Sequence, residues 1–411
     1  MKSKWTFLLS LVLILSLVVS ACGSSNSGNT NSGSNSGSSG SGDSGSSGGE
    51  TKKYNNFALD YVPTKKDGFV IGFSNGYFGN TWRSQYVAGV EEVGNKYKEQ
   101  GIIKDLIIQN TNGVPAQIAA VESFINQGVD AIVLNPVSSS ALAPVVAKAI
   151  AKGILVIISD DPAEYPDTIN VTGDNAAFWR IQAKWIAEQL GGKGNIVMIT
   201  GIAGNSADEL RIREAEKVLA NYPDIKVLGS APGGWDPTQA QQAMANFLAA
   251  FNNIDGVLEQ DVMADGVIQA YEAAKRPLPI MTGDYTFGFL RKWAEKYPDL
   301  NTMTVPYAPG VGANSLEVTV KILQGYKLKD EVLQPNPLKP DLINTILSPP
   351  PYVVTKEAQP NAPWLEGEDP AIKAISLEEA LKIGEGQPDS AALDSYWSEE
   401  EVEAMFNPPS N

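Results

Sequence analysis

Tyr77, Phe78, Asn80, Trp82 and Arg83 place three aromatic rings, an amide and a guanidinium within seven residues. Rings stack on the apolar faces of small polyhydroxylated molecules, while amide and guanidinium groups give directional hydrogen bonds to hydroxyls. Comparable groups recur farther along: Asp160 and Asp161, Trp235 and Asp236 behind Ala231-Pro-Gly-Gly234, Gln260 with Asp261, and Asp284 with Tyr285. Arg211 and Arg213 open a helical pattern after Gly201–Ser206, and Arg211 reads as a solvated partner of Asp208 or Glu209. Asp284 is balanced between ligand contact and capping the helix that starts near Thr286.

Covalent chemistry fits the inventory poorly. The chain has no His, which removes the commonest general base and the commonest metal ligand, and with them a Ser–His–Asp triad. Asp160 and Asp161 are adjacent on one loop, whereas a glycosidase needs carboxylates on both sides of one bond. Gly201-Ile-Ala-Gly204 lacks the Lys-Ser/Thr of a phosphate-binding loop, and no stretch reads as an EF-hand. A single Cys, Cys22, permits neither an internal disulfide nor a zinc cluster. The formal net charge of -16, with a pI near 4.6, argues against a nucleic-acid partner. Binding without cofactor or metal is the reading that remains.

These groups sit where one architecture would bring them together. Phe69–Phe73 is an apolar, β-branched run bounded by Gly68 and Asn75-Gly76, as expected of a buried parallel strand. A helix carrying Val87, Val90, Val93 and Tyr97 follows. Further strands are expected at Leu106–Gln109, Ala131–Asn135, Leu155–Ser159, Ile196–Thr200, Lys226–Ser230, Gly256–Gln260, Pro279–Gly283 and Thr302–Val305, with helical patterns between them. Repeating βα units imply parallel sheets with right-handed crossovers. The short extended piece Thr168–Asn175 breaks the rhythm, so two sheets in two lobes fit better than one. The candidate residues then lie at strand carboxyl ends, where open α/β sheets bind ligands.

The N-terminus reads as an export signal. Lys2 and Lys4 precede an apolar run from Trp5 to Val19, too short to span a membrane comfortably. Val19-Ser20-Ala21-Cys22 resembles the bacterial lipoprotein signal, in which the Cys is lipidated and anchors the mature protein to the cell membrane. Residues 23 to 50, almost all Gly, Ser and Asn, form a flexible linker with a span of roughly 30 Å.

Ala131-Ile-Val-Leu-Asn-Pro-Val-Ser-Ser-Ser140, Ile157-Ile-Ser-Asp-Asp161, Thr172-Gly-Asp-Asn175, Thr200-Gly-Ile-Ala-Gly-Asn-Ser206 and Thr282-Gly-Asp284 together resemble the sugar-binding proteins of the ribose-binding type. The loop with Asn80-Thr-Trp-Arg83 is similar to the galactofuranose-binding variant. The resemblance spans about residues 67 to 355 and implies the type I periplasmic-binding fold: two doubly wound parallel-sheet lobes joined by three crossings, clamping a sugar between them. It implies crossings near Asp174-Asn175, Pro306–Pro309 and Pro349–Tyr352. The expected divisions are a signal at 1–22, a linker and lead-in at 23–66, a first lobe of 67–174 and 307–348, and a second lobe of 175–306 and 349–411. In this family the loops give rings above and below the sugar and Arg, Asp and amide groups on its hydroxyls. Carried over by position, these are Trp82, Arg83, Asp160, Asp161, Arg213, Trp235, Gln260 and Asp284, with Asp174, Asn175, Pro306 and Pro349 in the hinge. Many ribose-type relatives have Asp-Arg where this chain has Asp160-Asp161. That departure leaves the ring form of the ligand open and admits an amino ligand, with Arg83 compensating from the opposite lobe. The resemblance also implies delivery to an ABC permease by a monomeric, lipid-anchored binding protein that is not an enzyme. Sensing of an autoinducer-2-like signal is the nearer alternative, and a carbohydrate-active enzyme the remoter one. The acidic, Pro-rich region beyond residue 356 carries Trp364, Trp397 and Phe406 as apolar anchors and is expected to pack on the second lobe.

Overall fold

A computed structural model describes residues 56–409. The signal, Cys22 and the Gly/Ser-rich stretch lie outside the described residues. The strands are β1 (Phe69–Asn75), β2 (Ile103–Asn110), β3 (Ala131–Asn135), β4 (Leu155–Ser159), β5 (Ile169–Gly173), β6 (Lys193–Thr200), β7 (Asp224–Pro232), β8 (Gly256–Glu259), β9 (Ile280–Thr282), β10 (Thr302–Met303), β11 (Lys327–Leu328), β12 (Gln334–Pro335), β13 (Ile343–Ser348), β14 (Tyr352–Thr355), β15 (Lys373–Ser376) and β16 (Phe406–Asn407). The α-helices are α1 (Thr81–Glu99), α2 (Val114–Gln127), α3 (Ser139–Ala151), α4 (Asn175–Gln189), α5 (Ser206–Leu219), α6 (Pro237–Ala250), α7 (Ala264–Ala274), α8 (Phe287–Glu295), α9 (Val311–Leu323), α10 (Leu377–Ile383) and α11 (Glu399–Ala404).

Two sheets carry the fold. The first has seven strands in the order β12-β13-β5-β4-β3-β1-β2, and the second has five in the order β10-β9-β8-β6-β7. All their pairings are parallel except β12 with β13. Parallel strands covered on both faces must be apolar throughout, and β3 and β4 are buried along their whole length. The core runs β2-β1-β3-β4-β5 in one lobe and β7-β6-β8-β9-β10 in the other, the same doubly wound order twice. Such sheets open a crevice where the strand order reverses, here outside the carboxyl ends of β1 and β3 and of β6 and β8. The type I periplasmic-binding architecture expected from the sequence is the one observed.

The chain passes between the sheets where β5 gives way to α4, where β10 leads through Thr304–Gly310 to α9, and after β13, whose successor β14 pairs with β15. Asp174 caps α4 by accepting the Ala177 amide at 2.8 Å, and its own amide donates to Ser348 O at 2.8 Å, so two crossings are tied directly. Gly173, Pro306, Tyr307, Ser348 and Pro349 surround one small cavity there.

Three features depart from the sequence reading. Residues from Asn56 onward pack rather than lead in loosely: Asn56 Nδ2 donates to Thr168 O at 3.0 Å, and Ala58 and Tyr61 are buried. Ile343–Ser348 is a strand of the first sheet, where no strand was expected. The C-terminal region does not stay on the second lobe. Trp364 is buried beside α4 and α10 packs on α8, but β16 then pairs with β11 and α11 packs on α9, on the first lobe.

Candidate ligand-binding cleft

Asn80, Trp82, Arg83, Asp160, Asp161 and Tyr307 face Ala207, Arg211, Trp235 and Asp261 across the space between the sheets. All but Tyr307, which lies on the second crossing, come from the loops after strand carboxyl ends or from the first two turns of the helices that follow. Asn80 does two things: its side chain accepts the Arg83 amide at 2.9 Å, starting α1, and donates to Trp235 O of the other lobe at 3.2 Å. Ser206 Oγ donates across the cleft to Pro162 O at 2.8 Å. The lobes are closed, and the free space between the lining side chains is about 20 Å³, room for about one water molecule.

Charged groups in the cleft are paired. Arg83 is 4% exposed and its guanidinium donates to Asp160 Oδ2 at 2.7 Å and to Asp161 Oδ2 at 3.4 Å. Burial alone would lower the Arg83 pKa, but the two carboxylates hold it above its ordinary value. Burial, then the neighbouring Asp161 carboxylate, push Asp160 upward against the pull of Arg83. Asn135 Nδ2 donates to Asp160 at 3.1 Å and to Asp161 at 2.9 Å, which fixes both carboxylates from below. Arg83 and these aspartates belong to the same lobe, so it does not compensate from the opposite one.

Arg211 is the counterpart from α5. It is 2% exposed, its Nε donates to Asn175 Oδ1 at 2.8 Å, and it forms an ion pair with Asp261. Its guanidinium lies 4.4 Å from the Phe178 ring centroid, 4.6 Å from that of Tyr307 and 5.6 Å from that of Trp235. A planar group set among three rings while its nitrogens meet separate acceptors, Asn175, Gln260 and Asp261, suits Arg and not Lys. Tyr285 Oη donates to Asp261 Oδ1 at 2.6 Å, and Gln260 Oε1 accepts Trp235 Nε1 at 3.1 Å. The Trp235 ring lies so close to Gly201 that a Cβ there would come within 2.2 Å of it. Trp82 donates its Nε1–H to Tyr307 O at 2.7 Å and stacks on Tyr86 with centroids 5.2 Å apart.

Among the described residues, five non-glycine residues have positive φ, and three of them, Asp160 (68°), Trp235 (53°) and Asp261 (29°), line this cleft. Left-handed backbone costs of order 1–3 kcal/mol for such residues and persists where surroundings hold it in place.

Trp82, Arg83, Asp160, Asp161 and Trp235 lie on the cleft wall, and Gln260 sits directly behind Trp235 and Arg211. Two expected residues do not. Arg213 points away, with a side chain 48% exposed, and donates to Pro337 O. Asp284 accepts the amides of Tyr285 and Thr286 at 2.6 and 3.2 Å, as a turn-forming residue does, and borders a separate surface cavity. Arg211, expected to be solvated, is buried and lines the cleft. Asp174 and Asn175 sit at the first crossing; Asn175 reaches the cleft through Arg211 and donates to Tyr307 Oη at 3.2 Å. Tyr307, which the sequence reading did not mention, and Asp261, which it noted but did not carry over, also line the cleft. No local pattern marks Tyr307, whereas Asp261 follows the same strand as Gln260.

Two doubly wound lobes, three crossings and a closed polar cleft lined with aromatic rings define a binding protein of the periplasmic type. The chain belongs to that family: the periplasmic binding protein domain matches residues 71–327. The xylitol-binding protein of Mycolicibacterium smegmatis is 38% identical over 202 residues, covering 48% of this chain and 58% of that protein. A putative rhizopine-binding protein of Rhizobium meliloti is 29% identical over 287 residues, covering 67% of this chain and 91% of its own length. Among solved structures, an ABC transporter solute-binding protein from Thermobispora bispora superposes with a TM-score of 0.68 at 24% identity, over 82% of this chain and 94% of its own. A solute-binding protein from Actinobacillus succinogenes with bound D-allose gives 0.54 at 27% identity, over 62% and 91%. The family consists of binding proteins, not enzymes.

Proposed function

We propose that the cleft holds a small, neutral, polyhydroxylated molecule, a sugar or a polyol, for delivery to an ABC importer outside the cytoplasm. The observation that carries this reading is the convergence of Trp82, Arg83, Asp160 and Asp161 from one lobe with Arg211, Trp235 and Asp261 from the other. Three carboxylates meet two guanidiniums, but burial and the Asp161 carboxylate push Asp160 toward its neutral form, so a neutral ligand disturbs the charge balance least, and hydroxyls can both donate to the aspartates and accept from the arginines. The named ligands of related proteins, xylitol, ribose, galactofuranose and allose, are all of this class. A space of about 20 Å³ admits none of them, so binding needs the lobes to part about the three crossings, a hinge motion, and the lining side chains to make room as the lobes close on the ligand. Cys22 would carry the lipid that keeps the protein at the membrane.

Thermal-shift measurements against pentoses, hexoses, pentitols and inositols test the ligand class. A ligand at 100 times its dissociation constant adds about 2.7 kcal/mol of stability. A raised melting temperature with one of them, lost in Trp235→Ala and Arg211→Met, supports the reading. Silence across the panel with folded, ligand-free protein overturns it. Mass spectrometry of membrane-extracted protein before and after Cys22→Ala tests the anchor.

A further inference from the structure

The segment after Asp389 is bonded to both lobes within a few residues. On the second lobe, Phe287 N donates to Ala391 O at 2.9 Å, Leu393 N donates to Tyr285 O at 2.9 Å, and Ala392 bridges Thr286. On the first lobe, Gln85 of α1 accepts the Ala392 amide at 2.8 Å and donates to the Asp394 carboxylate at 2.9 Å. Asp394 also accepts the Gly310 amide at 2.8 Å, at the start of α9. Gly310 packs so tightly here that a Cβ would meet Ser395 O at 2.2 Å. The chain then stays on the first lobe: Trp397 N donates to Asn314 Oδ1 at 3.1 Å, and β16 pairs with β11.

Leu393 and Asp394 are therefore neighbours in sequence held by opposite lobes. One residue spans at most about 3.3–3.6 Å, so this connection has no slack. Parting the lobes here breaks one set of bonds. The second-lobe set is main chain to main chain on both sides of Ala392. The first-lobe set rests on two side chains, Gln85 and Asp394, and yields first.

We propose that residues 391–394 are a fourth inter-lobe strand, a latch that holds the lobes closed and releases at Gln85 and Asp394 when they open. The proposal rests on the hinge reading above. The latch also touches the cleft wall: Leu393 is bonded to the carbonyl of Tyr285, whose hydroxyl orients Asp261. Closing the latch and setting that wall are one event.

Inter-lobe distance in the absence of any ligand tests the latch. Spin labels at Ala147→Cys on α3 and Ala245→Cys on α6, both exposed, report it by double electron–electron resonance in the otherwise full chain with Cys22→Ser. The parent should give one narrow distance population. Gln85→Ala, and separately Asp394→Ala, should each add a second, shifted population in protein that still melts in one cooperative transition. An unshifted distribution in folded Gln85→Ala protein overturns the latch. Asn80→Ala with Ser206→Ala, which frees the cleft lips and leaves the tail intact, separates the two failures. If this pair shifts the distribution and the tail variants do not, the latch alone falls. If no variant shifts it, the latch and the hinge motion fall together.

Discussion

Arg211 and Arg213 are two positions apart on α5, about 200° around the helix, and that angle separates their roles. Arg211 shares its face with Ala207, Ala215 and Val218, all buried, while Arg213 faces outward. The spacing of those small and apolar residues was available in the sequence and would have placed Arg211 inward; charge alone suggested solvent. Replacing one member of a buried ion pair strands the other, at roughly 3–5 kcal/mol. Arg211→Met should therefore lower the unfolding free energy obtained from urea titration by that much and abolish ligand binding. Arg213→Ala should change stability by no more than about 0.5 kcal/mol and leave affinity intact. Equal effects from the two would refute the cleft assignment. Asp284 gives a second test. Burial is the main cause that pushes its pKa up to about 7 from 3.8. A carboxyl whose folded pKa lies above its unfolded one favours folding below the unfolded value, and that contribution is lost as pH rises through the folded value. Between pH 4 and pH 7 Asp284 therefore costs stability progressively. Asp284→Asn, neutral throughout, should melt progressively higher than the parent across this range, by a difference that levels off above pH 7. A pH-independent difference between the two would show that Asp284 stays charged.

At the scale of elements, the repeated βα units were readable because buried parallel strands must be apolar throughout and their helices keep a 3.6 period. Ala131–Asn135 and Leu155–Ser159 have the expected boundaries. Ile343–Ser348 was missed because it follows no helix and carries Asn344 and Thr345 among its buried positions, so neither period marks it. Tyr307 was missed for another reason: its role comes from where the second crossing lies, not from its neighbours. Its hydroxyl accepts the Gly173 amide at 3.2 Å and Asn175 Nδ2 at 3.2 Å, joining two crossings through one oxygen. The ring packs so closely on Gly173 that a Cβ there would come within 2.4 Å of it. Tyr307→Phe keeps the ring and removes the hydroxyl, which accepts from those two donors and donates to Asp160. Asn175 Nδ2 keeps Gly173 O as an acceptor at 3.3 Å, but the Gly173 amide loses its side-chain partner, and an unpaired buried donor costs about 1–3 kcal/mol, so stability should fall by that amount. Amide exchange at Gly173 should accelerate while exchange in the buried β3 strand does not. Uniform acceleration in both would mean that the hydroxyl supports the whole lobe and not the crossing.

Across the whole molecule, the charge is unevenly spread. Residues 357–411 hold thirteen acidic residues against two lysines, so most of the net charge of -16 belongs to the tail. Composition made this visible, but not its consequence, because the cations that meet the tail are scattered over both lobes. On the second lobe, Arg180 and Lys184 hold Glu368, whose side chain is 2% exposed. On the first lobe, Lys96 pairs with Glu399 and Lys321 with Glu403, both glutamates being largely exposed. Exposed pairs contribute about 0–1 kcal/mol each and are screened within about 3 Å in 1 M salt, whereas buried pairs are screened much less. The tail should therefore respond to salt unevenly. Raising NaCl from about 0.05 to 1 M should speed amide exchange across Glu399–Phe406 and leave Trp364–Ser376 protected. The first-lobe attachment would then be the weaker end of the tail, on the same side as the Gln85 and Asp394 contacts. Equal salt sensitivity at both ends would mean that apolar packing of Trp397 and Phe406, not charge, holds the first-lobe end in place.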